Sequence, residues 1–91
     1  MTDTLKASSE TVRSEIRRFV VSNFLFGERT ATLSDDDSFL DAGIIDSTGV
    51  LELVAFLEEQ FAIKVSDQEL LPENLDSVNL AASFVSRKLQ G

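Results

Sequence analysis

Cysteine, histidine, tryptophan and tyrosine are absent from this chain, and proline occurs once. Without cysteine there is no disulfide framework and no thiolate to hold a metal. Without histidine or cysteine, general-base work near neutral pH falls to a carboxylate, a lysine or the terminal amine. These absences argue against a self-contained hydrolase, a redox enzyme or a zinc site. The chain is expected not to be an enzyme, and no catalytic or metal-ligating residue is assigned. No uninterrupted apolar run approaches the length of a membrane span, and the opening MTDTLKASSE has no hydrophobic signal core. The expectation is a soluble, cytoplasmic protein without membrane insertion.

What is present is a small acidic chain. Its 91 residues are enough for one domain, spanning 1–91 with 1–7 as a flexible tail. The 16 acidic and 8 basic residues give a net charge of −8. Their distribution is more uneven than that total, because residues 30–76 contain a single base, Lys64. Such a block repels nucleic-acid phosphate and anionic membrane and steers basic partner surfaces toward itself. The plainer alternative is a solubilising surface.

Helical periodicity dominates the rest. In SETVRSEIRRFVVSNFLF, Val12, Ile16, Phe19, Val20 and Phe24 recur at helical spacing, which predicts a helix over 9–25 started by Ser8 or Ser9 and stopped by Gly27. About twenty residues without periodicity follow. So long a loop in so small a domain is usually functional, and Phe39, Leu40, Ile44 and Ile45 are expected to pin it to the core. A second helix is predicted over 47–61, with Val50, Val54, Leu57 and Phe61 on the core stripe and Thr48, Glu52, Ala55 and Glu59 facing solvent. Leu51, Leu53 and Phe56 lie on its flanks, more apolar surface than one buried face needs. VSDQELLPENL carries a capping-box pattern, Ser66 with Glu69, interrupted by Pro72, and predicts only short helical turns. A last helix begins after Ser77, with Val78, Ala81, Val85 and Leu89 along one face, Phe84 beside them, and Arg87 and Lys88 at its negative end. The fold class is therefore all-α: a four-helix bundle of three longer helices and one short helix, with a long loop between helices one and two.

Three stretches invite chemistry. SDDDSFLDAG resembles a calcium loop only in its acidity. Counted from Asp35 or from Asp37, the alternate ligand positions and the glycine at the sixth position fail, so a solvated acidic loop is the better reading. Ser47 resembles a hydrolase nucleophile in having Gly49 two residues on, but position 45 is isoleucine and a chain without histidine cannot form a Ser-His-Asp triad. Read locally, either Ser47 caps the second helix or Asp46 does, with Ser47 in the first turn.

The wider stretch 39–61, FLDAGIIDSTGVLELVAFLEEQF, resembles the acyl carrier protein family. Leu40 and Gly43 precede the pair Asp46-Ser47. Leu51-Glu52-Leu53 follow it, and Glu58-Glu59 with Phe61 end the helix. Helix order and lengths match more loosely over the whole chain. The resemblance implies that Ser47 carries 4′-phosphopantetheine, transferred from coenzyme A by a phosphopantetheinyl transferase. Cargo is held on the arm as a thioester, loaded by an acyl- or aminoacyl-loading enzyme and passed to acceptor enzymes with basic docking surfaces. A monomer is expected. Asp46 is implied to help hold the transferase's metal ion, and Glu52, Glu58 and Glu59 are implied as partner-recognition residues, with Glu58 nearer the core stripe. The chain's lack of any thiol accords with a borrowed one, and a lone serine hydroxyl needs activation by another protein.

Two features depart from the family pattern. Thr48 stands where leucine or methionine usually follows the serine and commonly contacts partners. The lead-in Gly-Ile-Ile-Asp-Ser looks more like free-standing carriers of aminoacyl or other specialised cargo than like fatty-acid carriers. Gly49 lowers helix propensity by up to about 1 kcal/mol relative to alanine, either to admit a partner or as a loose first turn. The alternative from another class is a small acidic helical adaptor for a basic protein, with Ser47 only a helix cap.

Overall fold

The computed structural model describes residues 9–25 and 33–90. The expected tail 1–7, Ser8 as a cap and Gly27 as a stop lie outside those residues. The first helix, α1, runs Ser9–Val20 and continues as a π-helical turn, Val21–Leu25. Val12, Ile16 and Val20, spaced by four, are wholly buried. Their β-branched side chains are stiff and pack with little further loss of rotamer freedom.

The second helix, α2, spans Ser47–Phe61 and ends on Ala62 in the left-handed conformation. A 3₁₀ turn, Asp67–Glu69, leads to a one-turn helix, α3, at Pro72–Leu75 with proline in its first turn, where no backbone N–H is required. The fourth helix, α4, runs Val78–Gln90. Ser77 is buried and its Oγ accepts the Leu80 N–H at 3.0 Å, the expected cap. Among the described residues there is no strand. The all-α bundle of three longer helices and one short one is the observed fold.

α4 packs on α1 and α3, and α1 and α4 both touch α2. The core between them holds Leu53, Leu57, Val78, Ala81 and Val85, each wholly buried. Burying side chains of the size of Leu53 or Val85 contributes about 1.5–3 kcal/mol apiece, which offsets the ordering of the loop. Phe19 of α1 stacks on Phe56 of α2 with ring centroids 4.3 Å apart.

Four residues expected in the core, Val50, Phe61, Leu40 and Leu89, are not buried. On α2 the wholly buried residues are Leu53 and Leu57, while Val50 and Phe61 are only partly covered. α2 is apolar on several sides, so periodicity alone does not choose the face that α1 and α4 cover. Leu40 is 42% exposed rather than pinned inside, and Leu89, in the last turn of α4, is 45% exposed.

The loop into α2 does span the domain. Leu33, Phe39 and Ile45 are buried and Ile44 is packed against the core. The acidic run is also anchored rather than merely solvated. Asp35 pairs with Arg17 at 3.0 Å, and the Asp35 carbonyl accepts the Asn79 N–H at 2.9 Å. Asp36 accepts from the Asn79 side chain at 2.7 Å, and Asp37 accepts the Ser34 N–H at 2.9 Å.

Candidate functional site

The start of α2 is built from the turn before it. Gly43 adopts φ +70°, a conformation without penalty for glycine, and turns the chain so that Ile45 enters the core and Asp46 emerges extended. Asp46 is the N-cap: its Oδ1 accepts the Gly49 N–H at 2.7 Å. Ser47 therefore occupies the first helical position. It is exposed, and among the described residues its hydroxyl has no hydrogen-bond partner. The reading of Ser47 as only a helix cap fails here, because the neighbouring carboxylate performs that role.

Ser47 opens on an apolar cleft of about 300 Å³. Val50 and Leu51 of α2 form one side, Leu40 of the loop a second, and Leu70, Leu71 and Pro72, before and at the start of α3, the third. Three of the chain's exposed large apolar residues, Leu40, Leu51 and Leu71, gather at this one place. Asp76 also lines the cleft and holds its loop wall in position. One carboxylate oxygen accepts the Leu40 N–H at 3.0 Å, the other accepts the Ser38 hydroxyl, and the Asp76 carbonyl accepts the Phe39 N–H at 2.9 Å.

Of the residues singled out from the sequence, the fold places Asp46, Ser47 and Thr48 together and exposed at the start of α2, with Glu52 and Glu59 exposed further along it. Glu58 differs from its neighbours. It is half-buried, and its carboxylate accepts the Val65 N–H at 2.9 Å, tying the end of α2 to the segment after it. Gly49 is buried, so neither open alternative for it holds: a β-carbon there would meet Ile45 Cγ2 at 2.8 Å and Phe24 Cε1 at 2.9 Å. The sequence reading missed the cleft's far wall and Asp76. The doubled leucine before Pro72 was its only trace, since nothing periodic links 70–76 to Ser38–Leu40.

The 3₁₀ turn behind the cleft is tied to α4. The Glu69 carboxylate accepts the Ser66 N–H at 2.9 Å, completing the expected capping-box contact, and pairs with Lys88 at 3.0 Å. The Ser66 backbone hydrogen bond, with Lys88 second, holds its pKa below the ordinary value.

Residues 25–85 match a family model described as a phosphopantetheine attachment site. The chain is 44% identical over 55 residues, 60% of its own length and 68% of the relative's, to a D-alanyl carrier protein of Streptococcus uberis. It is 39% identical over 61 residues, 67% of its length and 76% of the relative's, to a D-alanyl carrier protein of Streptococcus suis. A protein of Serratia sp. named as an acyl carrier protein is 26% identical over 76 residues, 84% of this chain and 86% of that one.

Proposed function

Because the chain belongs to the phosphopantetheine attachment-site family, whose members are carriers rather than enzymes and hold 4′-phosphopantetheine covalently on a serine, we propose that Ser47 is that serine and that the cargo is a short aminoacyl group. The observation that carries the attachment site is the exposed Ser47 hydroxyl at the first position of α2, with the cap supplied by Asp46 and an apolar cleft alongside.

The chemistry required of this chain is limited. The Ser47 oxygen bonds to the pantetheine-side phosphorus of coenzyme A while the pyrophosphate P–O bond breaks and the nucleotide half leaves. The serine proton passes to a base of the phosphopantetheinyl transferase, because the chain has no histidine or thiolate to take it. The resulting phosphodiester lies at the positive end of α2, which favours its charge. The arm then supplies the thiol that the chain lacks, and carrier proteins of this family work with the transferase and with loading enzymes. Asp46 Oδ1 is engaged by Gly49, and Asp46 is exposed and directly precedes Ser47, which suits it to the transferase's metal ion.

Two observations favour small cargo. Two of the three relatives above, the two from Streptococcus, are named as D-alanyl carriers. The cleft beside Ser47 measures about 300 Å³, a volume that suits a small group. Delivery would use the outer face of α2, where Thr48, Glu52 and Glu59 are exposed and no base occurs between Gly43 and Ile63.

Intact mass after incubation with coenzyme A and a broad-specificity transferase tests the site. The wild type is expected to gain one arm and Ser47→Ala none; no gain in the wild type beside a control carrier that is modified overturns the proposal. The mass of the thioester on protein recovered from its host tests the cargo, and a long acyl chain there would exclude the aminoacyl reading.

A further inference from the structure

The turn that bears Ser47 is supported from below by a residue distant in sequence. The last turn of α1 is wound as a π-helix, Val21–Leu25, in which the Asn23 side chain donates to the Phe19 carbonyl at 2.8 Å. A π turn takes more residues per revolution than an α turn and redirects the side chains that follow, and such turns are frequent at functional sites. Here it carries Phe24 toward α2. The Phe24 ring meets Phe19 edge to face, centroids 5.9 Å apart, and Phe19 in turn stacks on Phe56. The ring edge of Phe24 comes so close to Gly49 that a β-carbon there would lie 2.9 Å from Cε1, with Ile45 Cγ2 at 2.8 Å and the capping Oδ1 of Asp46 at 3.3 Å. The turn 45–49 is thus held between its own cap and an aromatic ring anchored through Phe19 to the middle of α2.

We infer that Phe24 is a positioning residue for arm attachment, seating the Ile45–Gly49 turn so that Asp46 caps α2 while the Ser47 hydroxyl is presented to the transferase. It rests on the assignment of Ser47 above. Phe24 touches no reacting atom and acts through Gly49 and Asp46. A displacement of the order of an ångström in a reacting group lowers turnover strongly even when the residue changed lies away from the chemistry. Gly49 has a matching role: it admits the ring, and a methyl group there would push against the cap and the ring together.

The test measures kcat and KM for arm transfer to the apo-protein by intact mass, with folding followed by circular dichroism. The variants are Phe24→Ala, Phe24→Leu, Gly49→Ala and the double variant Phe24→Leu/Gly49→Ala. Val85→Ala, a wholly buried residue of α4 outside this contact, controls for lost stability. All rates are taken below each variant's unfolding transition. Phe24→Ala and Gly49→Ala are expected to lower kcat about tenfold with KM changed less than threefold, whereas Val85→Ala keeps the wild-type kcat. The double variant is expected to recover only part of the loss in Gly49→Ala, because leucine relieves the contact at Phe24 Cε1 while the contact with Ile45 Cγ2 remains. Wild-type kcat in Phe24→Ala and Phe24→Leu, or equal losses in Val85→Ala, would overturn the inference. Should Phe24→Ala not fold, Phe24→Leu and the double variant decide it by the same criteria. A mass gain that persists in Ser47→Ala would instead overturn the attachment site itself.

Discussion

Asp46 Oδ1 accepts the Gly49 N–H at 2.7 Å, and Asp46 is exposed immediately before Ser47. The cap and the carboxylate charge can be separated by substitution. Asn is as good an N-cap as Asp, so Asp46→Asn is expected to keep stability within about 0.5 kcal/mol, whereas Asp46→Ala removes the cap and costs about 0.5–2 kcal/mol. Both are expected to slow arm transfer, because the proposed metal contact needs the charge. Denaturant unfolding and mass progress curves measure the two effects, and a wild-type rate in Asp46→Asn would leave Asp46 a cap alone. The acidic residues further along α2 divide in the same way. Glu52 and Glu59 are exposed, while Glu58 is used inside the chain by Val65. Thr48, beside Ser47 and fully available, is the position where replacement by leucine should change transferase recognition first.

At the scale of elements, the loop and the segment around α3 form two of the three sides of the cleft, and each is held by one carboxylate. Asp76 takes three hydrogen bonds from Ser38–Leu40, two of them on its side chain. Asp76→Ala removes the acceptor of the Ser38 hydroxyl and of the Leu40 N–H and is expected to cost about 0.5–1.5 kcal/mol, with Leu40 amide protection against hydrogen exchange reduced. Glu69 holds the other wall through Ser66 and Lys88. Its folded-state pKa lies below the unfolded value, so its contribution is fully present above the unfolded value and is lost as pH falls through the folded one. Unfolding curves of wild type and Glu69→Gln should accordingly differ at neutral pH and converge in acid. A gap unchanged at low pH would mean that the ionised carboxylate is not what stabilises the turn.

Charge acts at the scale of the whole molecule. The acidic residues are concentrated between Asp35 and Asp76, and those of the loop are partly neutralised by Arg13 and Arg17, whereas the outer face of α2 has no base of its own. The field around Ser47 is therefore negative, which suits basic partner surfaces and is screened within about 8–10 Å at physiological salt. Association with the transferase is expected to slow as salt rises, chiefly in the on-rate, and Glu52→Gln/Glu59→Gln should flatten that dependence without moving the unfolding midpoint appreciably. Stopped-flow measurements over a salt series would show this; an on-rate insensitive to salt would remove the electrostatic role of α2.

Helix positions were legible because they depend on neighbours in sequence: the four-residue spacing of Val12, Ile16 and Val20, the Asp-Ser pair before Gly49, and Pro72 at the start of a short turn. The sequence by itself also determined what the chain cannot do, since no folding supplies a missing thiol or imidazole, and it marked Ser47 through the company of residues 39–61. Only the tertiary structure decided between Asp46 and Ser47 as the cap, and only it selected Leu53 over Val50 for the core of α2. It alone brought Asp76 to Ser38 and Phe24 to Gly49, and set Leu71 and Leu51 in one cleft. The reason is that a residue's own turn is set by its neighbours, whereas the face an apolar helix buries, and the wall opposite a serine, are set by which distant segment packs there.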